Sequence, residues 1–477
     1  MSATPRPAQR GGGMTAPSDR GESEVNFSAR RQAWQDTHLD DRTRHLLAED
    51  ARYFLHQSVS TPCLSAIRHA EGIWIEDTTG RRYMDFHGNG AHHIGYGHPR
   101  LIAAIKQQLD ELPFAPRRFT CDPAIELARW LVAISPPGLE RVLFATGGSD
   151  AVEIALKIAR AATGRFKTVS FWDAFHGAGF GAASVGGEAL FRSGPIGPLL
   201  PGTEHVAPFA CYRCPYGYPC DDHGQPRLEL CRLTCARFVR YVLEQEGDVA
   251  AVIAEPARAA PYIPPPGFWA AVRQACDQCG ALLIFDEIPT GLGKTGRLFA
   301  CEHDGVVPDL LVLGKALGGG VLPIAAVLAR AELDVGWAWA FGHYTHEKNP
   351  VTCRAALTTL EIIEDEQLVD NARQRGEQAL QRLRQMQMRH PMIGDVRGRG
   401  LLLGVELVSD RLEKTPAGAA AEAVLYRALA RGLSFKISLG NVLTLSPPLT
   451  ITAAELDDAL DILDSCLAET EGELSLS

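Results

Sequence analysis

The sequence predicts an α/β protein: a large unit on a mostly parallel central sheet, plus a smaller α+β unit. Three observations carry that prediction. At 477 residues the chain is too long for one small core. Strand-like apolar runs alternate with helical stretches through its middle. After about residue 341 the pattern changes to a long helical stretch followed by strands and a last helix.

From Asn26 to Leu55 spaced apolar residues read as short surface helices. Gly72 to Phe86 alternates apolar and polar around a Thr-Gly turn, a hairpin signal. VLFAT then precedes SDAVEIALKIARAA, TVSFW precedes a Gly-rich loop, and VAAVIAEP precedes FWAAVRQACDQCG; ALLIFDE and LLVLGKALGGG follow. Pro350 to Met388 reads as helical, GRGLLLGVEL and NVLTLSPPLTI as strands, and Ala453 to Leu467 as a final helix. The expected divisions are a disordered tail at 1–25, an N-terminal segment of the small unit at 26–88, a large unit at 89–340 with a Cys-rich insertion at 208–237, and a C-terminal small unit at 341–470. Met14 is an alternative start.

Hydrophobic residues make up 46 % and charged residues 22 %, which excludes a disordered or fibrous chain. With 47 basic and 57 acidic residues the net charge is −10, which argues against a nucleic-acid or anionic-membrane surface. No apolar run is long enough to span a membrane, and the amino terminus lacks the apolar stretch of a secretory signal. Twelve cysteines, mostly scattered, suit reduced thiols in a cytoplasm.

Lys315 follows the apolar run LLVLG and precedes Gly318 to Gly320. Partial burial there lowers an ammonium's pKa and makes the amine a nucleophile for a carbonyl. Asp286 ends the apolar strand ALLIFD, at the carboxyl edge where ligands of α/β sheets bind. Buried acids need cationic partners. FATGGSDAVEIALKIAR runs a strand into Thr146-Gly147-Gly148-Ser149 and then a helix, whose first N–H groups form a phosphate cradle. Cradle, strand-end Asp and strand-end Lys in that order describe a pyridoxal-phosphate site.

These motifs resemble the class III aminotransferases of the fold type I pyridoxal-phosphate enzymes, from about Arg30 onward. Asp286 through Gly296 match the family's DE…TG.G.TG segment, and Leu313 through Gly320 its lysine motif. The resemblance implies that Lys315 holds the cofactor covalently and that Asp286 pairs with its ring nitrogen. It further implies that Gly147, Gly148 and Ser149 hold the phosphate and that Phe175 stacks on the ring with His176 beside it. Thr345, in YTHEKNP, would reach the phosphate of a partner subunit, so the active site would be shared across a homodimer. Singly, Phe175 also reads as core, Thr345 as a cap before Pro350, and Gly147-Gly148 as a turn. One ligand accounts for all of them together.

Two positions depart from the family. Its members that use 2-oxo acids commonly carry an arginine where this chain has Thr444, for bidentate pairing with a carboxylate. Pro289 stands where a Gln is usual. Both favour a lyase over a transaminase. FLHQSVSTPCL, YMDFHGNGAHHIGYGHPR, SFWDAFHGAGFGAASVGGEALF and FGHYTHEKNPVT are similar to stretches of a family member that removes ammonia from a small β-hydroxy aminophosphonate. The implied products are phosphonoacetaldehyde and ammonia. The alternative is a class III aminotransferase of an ω-amine or amino acid with a 2-oxo acid acceptor. Arg117, Arg118, Arg258, His92, His93 and Lys348 are the cations considered for the phosphonate.

Cys211, Cys214, Cys220, Cys231 and Cys235 crowd one segment, with C-x₂-C and C-x₃-C spacings. Cys211, Cys214, Cys231 and Cys235 read either as a zinc or iron–sulfur scaffold or as a loop of reduced thiols.

Overall fold

The computed structural model describes residues 26–221 and 223–476, so the tail expected at 1–25 lies outside the described residues. Two helices, Ala29–His38 and Asp41–Tyr53, open it, where spaced apolar residues predict them. The Ser28 and Asp40 side chains cap them, accepting from the N–H of Arg31 and Thr43. Strands β1 (Ile67–Glu71), β2 (Trp74–Asp77) and β3 (Arg82–Asp85) follow as an antiparallel meander. Asp77 closes the turn between β2 and β3, its Oδ1 accepting from Thr79 N at 2.9 Å and Arg81 N at 3.0 Å.

A seven-stranded sheet forms the centre: β4 (Leu139–Ala145), β5 (Lys167–Phe171), β6 (Thr203–Val206), β7 (Val249–Ala254), β8 (Leu282–Asp286), β9 (Leu310–Leu313) and β10 (Ala325–Arg330). Its order is β4-β10-β9-β8-β7-β5-β6. Every pairing from β6 to β9 is parallel, and β10 alone runs antiparallel to its neighbours β9 and β4. Strands β7 and β9 are buried along their whole length, which is why they read as unbroken apolar runs.

Parallel register fixes the site. Ala254 is level with Phe285, and Asp286 with Val312, so the carboxyl ends of β7, β8 and β9 finish together. Glu255, Asp286 and Lys315 therefore emerge along one edge. Beneath them Trp269 lies edge-on to Phe285 with ring centroids 4.8 Å apart. Its indole N–H donates to Pro256 O at 2.8 Å, pinning the chain just past Glu255.

The remaining strands are β11 (Ile393–Arg399), β12 (Leu402–Asp410), β13 (Thr415–Pro416), β14 (Leu433–Ser434), β15 (Lys436–Ser438) and β16 (Val442–Leu445). An antiparallel sheet of order β11-β12-β16-β15 carries β13 on β12. Strand β14 instead pairs parallel with β3, joining the N-terminal meander to the C-terminal chain.

The helical stretch expected from Pro350 to Met388 is two helices, Pro350–Asp365 and Leu368–Arg389. Gln367 sits between them at φ +51°, a left-handed turn made without Gly or Pro and therefore silent in the sequence. The last helix runs Ala453–Leu476, past the expected end at Leu467.

Candidate functional site

Asp286 is buried, and its Oδ2 lies 2.8 Å from His176 Nδ1 while Oδ1 accepts from Ile288 N at 3.1 Å. His176 is also buried, and its Nε2 has no hydrogen-bond partner. Next to it, Gly177 stands at φ +128°, where an added Cβ would lie 2.5 Å from Ser149 Oγ. Only glycine permits that approach. Ser149 Oγ accepts from Ala178 N at 3.1 Å and so ties this loop to the helix Gly148–Thr163.

That helix starts at the carboxyl end of β4, after Gly147 in extended conformation. A Cβ on Gly148 would fall 2.9 Å from Ile288 Cδ1, so the missing side chain lets the helix start close on the end of β8. Its unpaired N–H groups and dipole suit a phosphate. Thr146 Oγ1 donates to Asp150 Oδ2 at 2.6 Å and steadies the turn.

Lys315 takes φ +44° as the first residue of a 3₁₀ turn, Lys315–Gly318. A left-handed non-glycine residue costs about 1–2 kcal/mol, and such strain gathers at functional positions. The side chain projects into a deep open cleft, surrounded by protein yet reachable by solvent. Among the described residues its amine has no hydrogen bond or ion pair. Burial, assisted by Lys436 and Arg258, holds the ammonium below the usual lysine range, while Glu255 and Asp286 oppose this. The facing turn, Gly88–Gly90, leaves room: a Cβ on Gly90 would stand 3.5 Å from Lys315 Cδ.

The structure thus gathers Gly147, Gly148, Ser149, His176, Asp286 and Lys315 around one cleft. Phe175 is half-buried against Phe191, with ring centroids 4.6 Å apart. Thr345 is exposed, just after Tyr344, whose phenol lies near Asp150 and Glu153.

Of the cations considered for an anionic substrate group, Arg258 reaches the cleft. It donates to Glu255 Oε1 at 2.8 Å and to Glu188 Oε1. Arg117, Arg118 and Lys348 are exposed. His92 and His93 are structural instead, their Nε2 atoms 3.0 Å from Asp85 O and 3.2 Å from Gly291 O. Sequence reasoning missed Glu255, His87 and Lys436. The signal for Lys436 was the alternation KIS facing VLTL, which sets Lys436 opposite Thr444 across β15 and β16.

The cysteine segment departs from a metal scaffold. Cys211, Cys214, Cys231 and Cys235 line one small cavity with Tyr216 and Tyr218. Among the described residues, however, no group of three or more His, Cys, Asp or Glu is arranged to hold a metal ion. Burial above all pushes the Cys211 thiol up to about 12 and the Cys235 thiol up to about 11. Nor does any helix among the described residues have the length and apolarity to cross a membrane.

The family model for class III aminotransferases matches residues 56–467. The chain belongs to that family. It is 45 % identical, over 94 % of its length and 95 % of the relative's, to a protein of Vibrio splendidus described as (R)-1-hydroxy-2-aminoethylphosphonate ammonia-lyase. Among solved structures it is similar to an (S)-enantioselective omega-transaminase from Thermomicrobium roseum, with TM-score 0.83, 31 % identity, and coverage of 90 % of this chain and 98 % of that one. An amine transaminase from an uncultivated Pseudomonas species, solved in its PLP-bound form, matches with TM-score 0.82 and 32 % identity over 88 % of this chain and 99 % of that one. This class III chain is therefore an enzyme, and pyridoxal phosphate is the cofactor expected of it. Its residues fit that group: an unpartnered buried imidazole nitrogen on His176, an unpartnered amine on Lys315, and a glycine-lined helix start.

Proposed function

We propose that the protein is a pyridoxal-phosphate-dependent lyase that removes ammonia from (R)-1-hydroxy-2-aminoethylphosphonate, giving phosphonoacetaldehyde for phosphonate degradation. The observation that carries this reading is the 45 % identity, spanning both chains almost end to end, to the Vibrio splendidus ammonia-lyase. Thr444 agrees with it, because a neutral side chain offers no bidentate grip on a carboxylate.

On this reading Lys315 holds the cofactor, Asp286 faces its ring nitrogen with His176 steadying the carboxylate, and Gly147, Gly148 and Ser149 cradle its phosphate. Phe175 covers the ring, and the enzyme works in the cytoplasm as a homodimer in which Thr345 serves the partner's phosphate site. The bound group supplies an electron sink that acidifies the carbon bearing the amine. Lys315, freed once the substrate amine takes its place on the cofactor, would take that proton as general base, its ammonium already destabilised by burial. Hydroxide then leaves the adjacent, phosphonate-bearing carbon and is protonated to water. The released enamine takes up water and loses ammonia, so the net change is loss of NH₃ without oxidant or 2-oxo acid.

Pure enzyme supplied with the hydroxyphosphonate and no 2-oxo acid tests this. Sustained release of aldehyde and ammonia is expected. A single turnover that stops until a 2-oxo acid is added would establish transamination, the second reading, which the similarity to solved transaminases favours.

A further inference from the structure

A doubly charged substrate group brought into a cleft this deep needs a cation that is not already committed. Arg258 is committed: its Nη1 pairs with Glu255 and its Nη2 with Glu188. That leaves only its buried Nε without a partner. Lys436 is different, for among the described residues its ammonium has neither hydrogen bond nor ion pair.

Its place is fixed by two pairings. Across β15 and β16, Lys436 is level with Thr444, whose hydroxyl turns away to donate to Ser438 Oγ at 2.9 Å. Along β3 and β14, Ser434 is level with Asp85, and Phe86 N donates to Ser434 O at 2.8 Å. Two residues further on, His87 and Lys436 leave that parallel pair side by side. Phe86 O also accepts from Ser446 N at 2.8 Å, which draws the end of β16 to the same place. Facing this wall across the Gly88–Gly90 turn is Lys315. His87, Lys436, Arg258 and Lys315 consequently share one electrostatic neighbourhood.

We infer that Lys436 is the specificity-determining anchor for the phosphonate dianion, supplying from β15 the charge that Thr444 does not supply from β16. His87 and the Arg258 Nε flank it as hydrogen-bonding groups. The inference rests on the lyase reading for the identity of the substrate, but the anion site stands on the charges alone. Burial and Arg258 hold the Lys436 ammonium below the usual lysine range, and a bound dianion relieves that repulsion. Arg258 pairs with both Glu188 and Glu255 and offsets one of their two charges; the remaining charge faces Lys436 and opposes its loss of the proton.

The test is calorimetric titration of the cofactor-loaded enzyme with methylphosphonate, and with acetate as a monoanion. Equal cofactor absorbance in wild type and variants shows that the site is intact. Lys436→Gln should weaken methylphosphonate binding about tenfold or more, with acetate little changed, while Lys436→Arg stays within about threefold of wild type. For turnover of the hydroxyphosphonate, Lys436→Gln should raise KM about tenfold and change kcat less than about threefold. Unchanged methylphosphonate binding in Lys436→Gln would overturn the inference, and equal loss of acetate binding would overturn its dianion character. Failure of the lyase reading looks different: wild-type enzyme would bind methylphosphonate through Lys436 yet release no ammonia.

Discussion

His176 and Asp286 are locked together, imidazole Nδ1 to carboxylate Oδ2 at 2.8 Å, with both side chains out of solvent. The backbone N–H of Ile288 holds the other carboxylate oxygen. An acid at a strand end would otherwise be free to rotate. Here it is fixed in one orientation at the mouth of the parallel sheet, as the role proposed for it beside the cofactor ring requires.

Replacing that charge should be costly. Asp286→Asn keeps the shape and removes the anion, so kcat/KM should fall about a hundredfold, the equivalent of one charge-assisted hydrogen bond of ~3 kcal/mol. His176→Phe, which removes only the group orienting Asp286, should cost less. Steady-state kinetics of both variants check the ranking.

Gly177→Ala should loosen the cofactor. At φ +128° the new Cβ would meet Ser149 Oγ at 2.5 Å and Ser149 Cα at 2.9 Å, pushing the phosphate cradle apart. Overpacking of this kind costs about 1–3 kcal/mol. Titration of apoenzyme with pyridoxal phosphate, followed by absorbance, should show affinity about tenfold weaker or worse.

Lys294 gives stability a pH slope. It is fully buried, its ammonium donates to Pro447 O at 2.7 Å, and burial pushes its pKa down to about 7 while Asp85 opposes. Between pH 7 and the ordinary lysine value near 10.4 the unfolded chain therefore binds more protons than the folded one. Stability rises with pH across that window, by up to about 1.4 kcal/mol per pH unit from this group. His92 and His93, its neighbours, are held neutral and titrate below the window. Urea midpoints from pH 7 to pH 9.5 should climb more steeply for wild type than for Lys294→Met.

Arg397 ties the C-terminal sheet together. It is itself nearly buried and pairs with Asp395 Oδ2 at 2.6 Å and Glu406 Oε2 at 2.7 Å, both carboxylates being buried. Arg397→Ala leaves buried Asp395 without its cation, while Arg213 still holds Glu406, and should destabilise the fold by about 3 kcal/mol, measured by urea denaturation.

Much of this was legible in the residues. Asp286, Lys315 and the Gly147–Ser149 turn each end an apolar run, and local order alone sets them at strand ends. Their meeting on one edge required the parallel register, which alternation of strand and helix implies. What stayed hidden depends on long-range pairing or on local strain. Lys436 gains its meaning from Thr444 across a hairpin and from His87 across a strand pair contributed from the far end of the chain. The break at Gln367 needs only one residue in a left-handed conformation, which periodicity does not reveal. For the cysteines the spacing leaves a metal scaffold and a loop of reduced thiols both open; it brings Cys211, Cys214, Cys231 and Cys235 to one cavity, but among the described residues no group of three or more is arranged to hold a metal ion.

The most direct test is to treat the enzyme, incubated with pyridoxal phosphate, with borohydride and to map the reduced adduct by peptide mass spectrometry. A single pyridoxyl group on Lys315, absent from Lys315→Ala, is the expected result. An adduct on Lys294 or any other lysine, or no adduct at all under saturating cofactor, would contradict the assignment of this cleft.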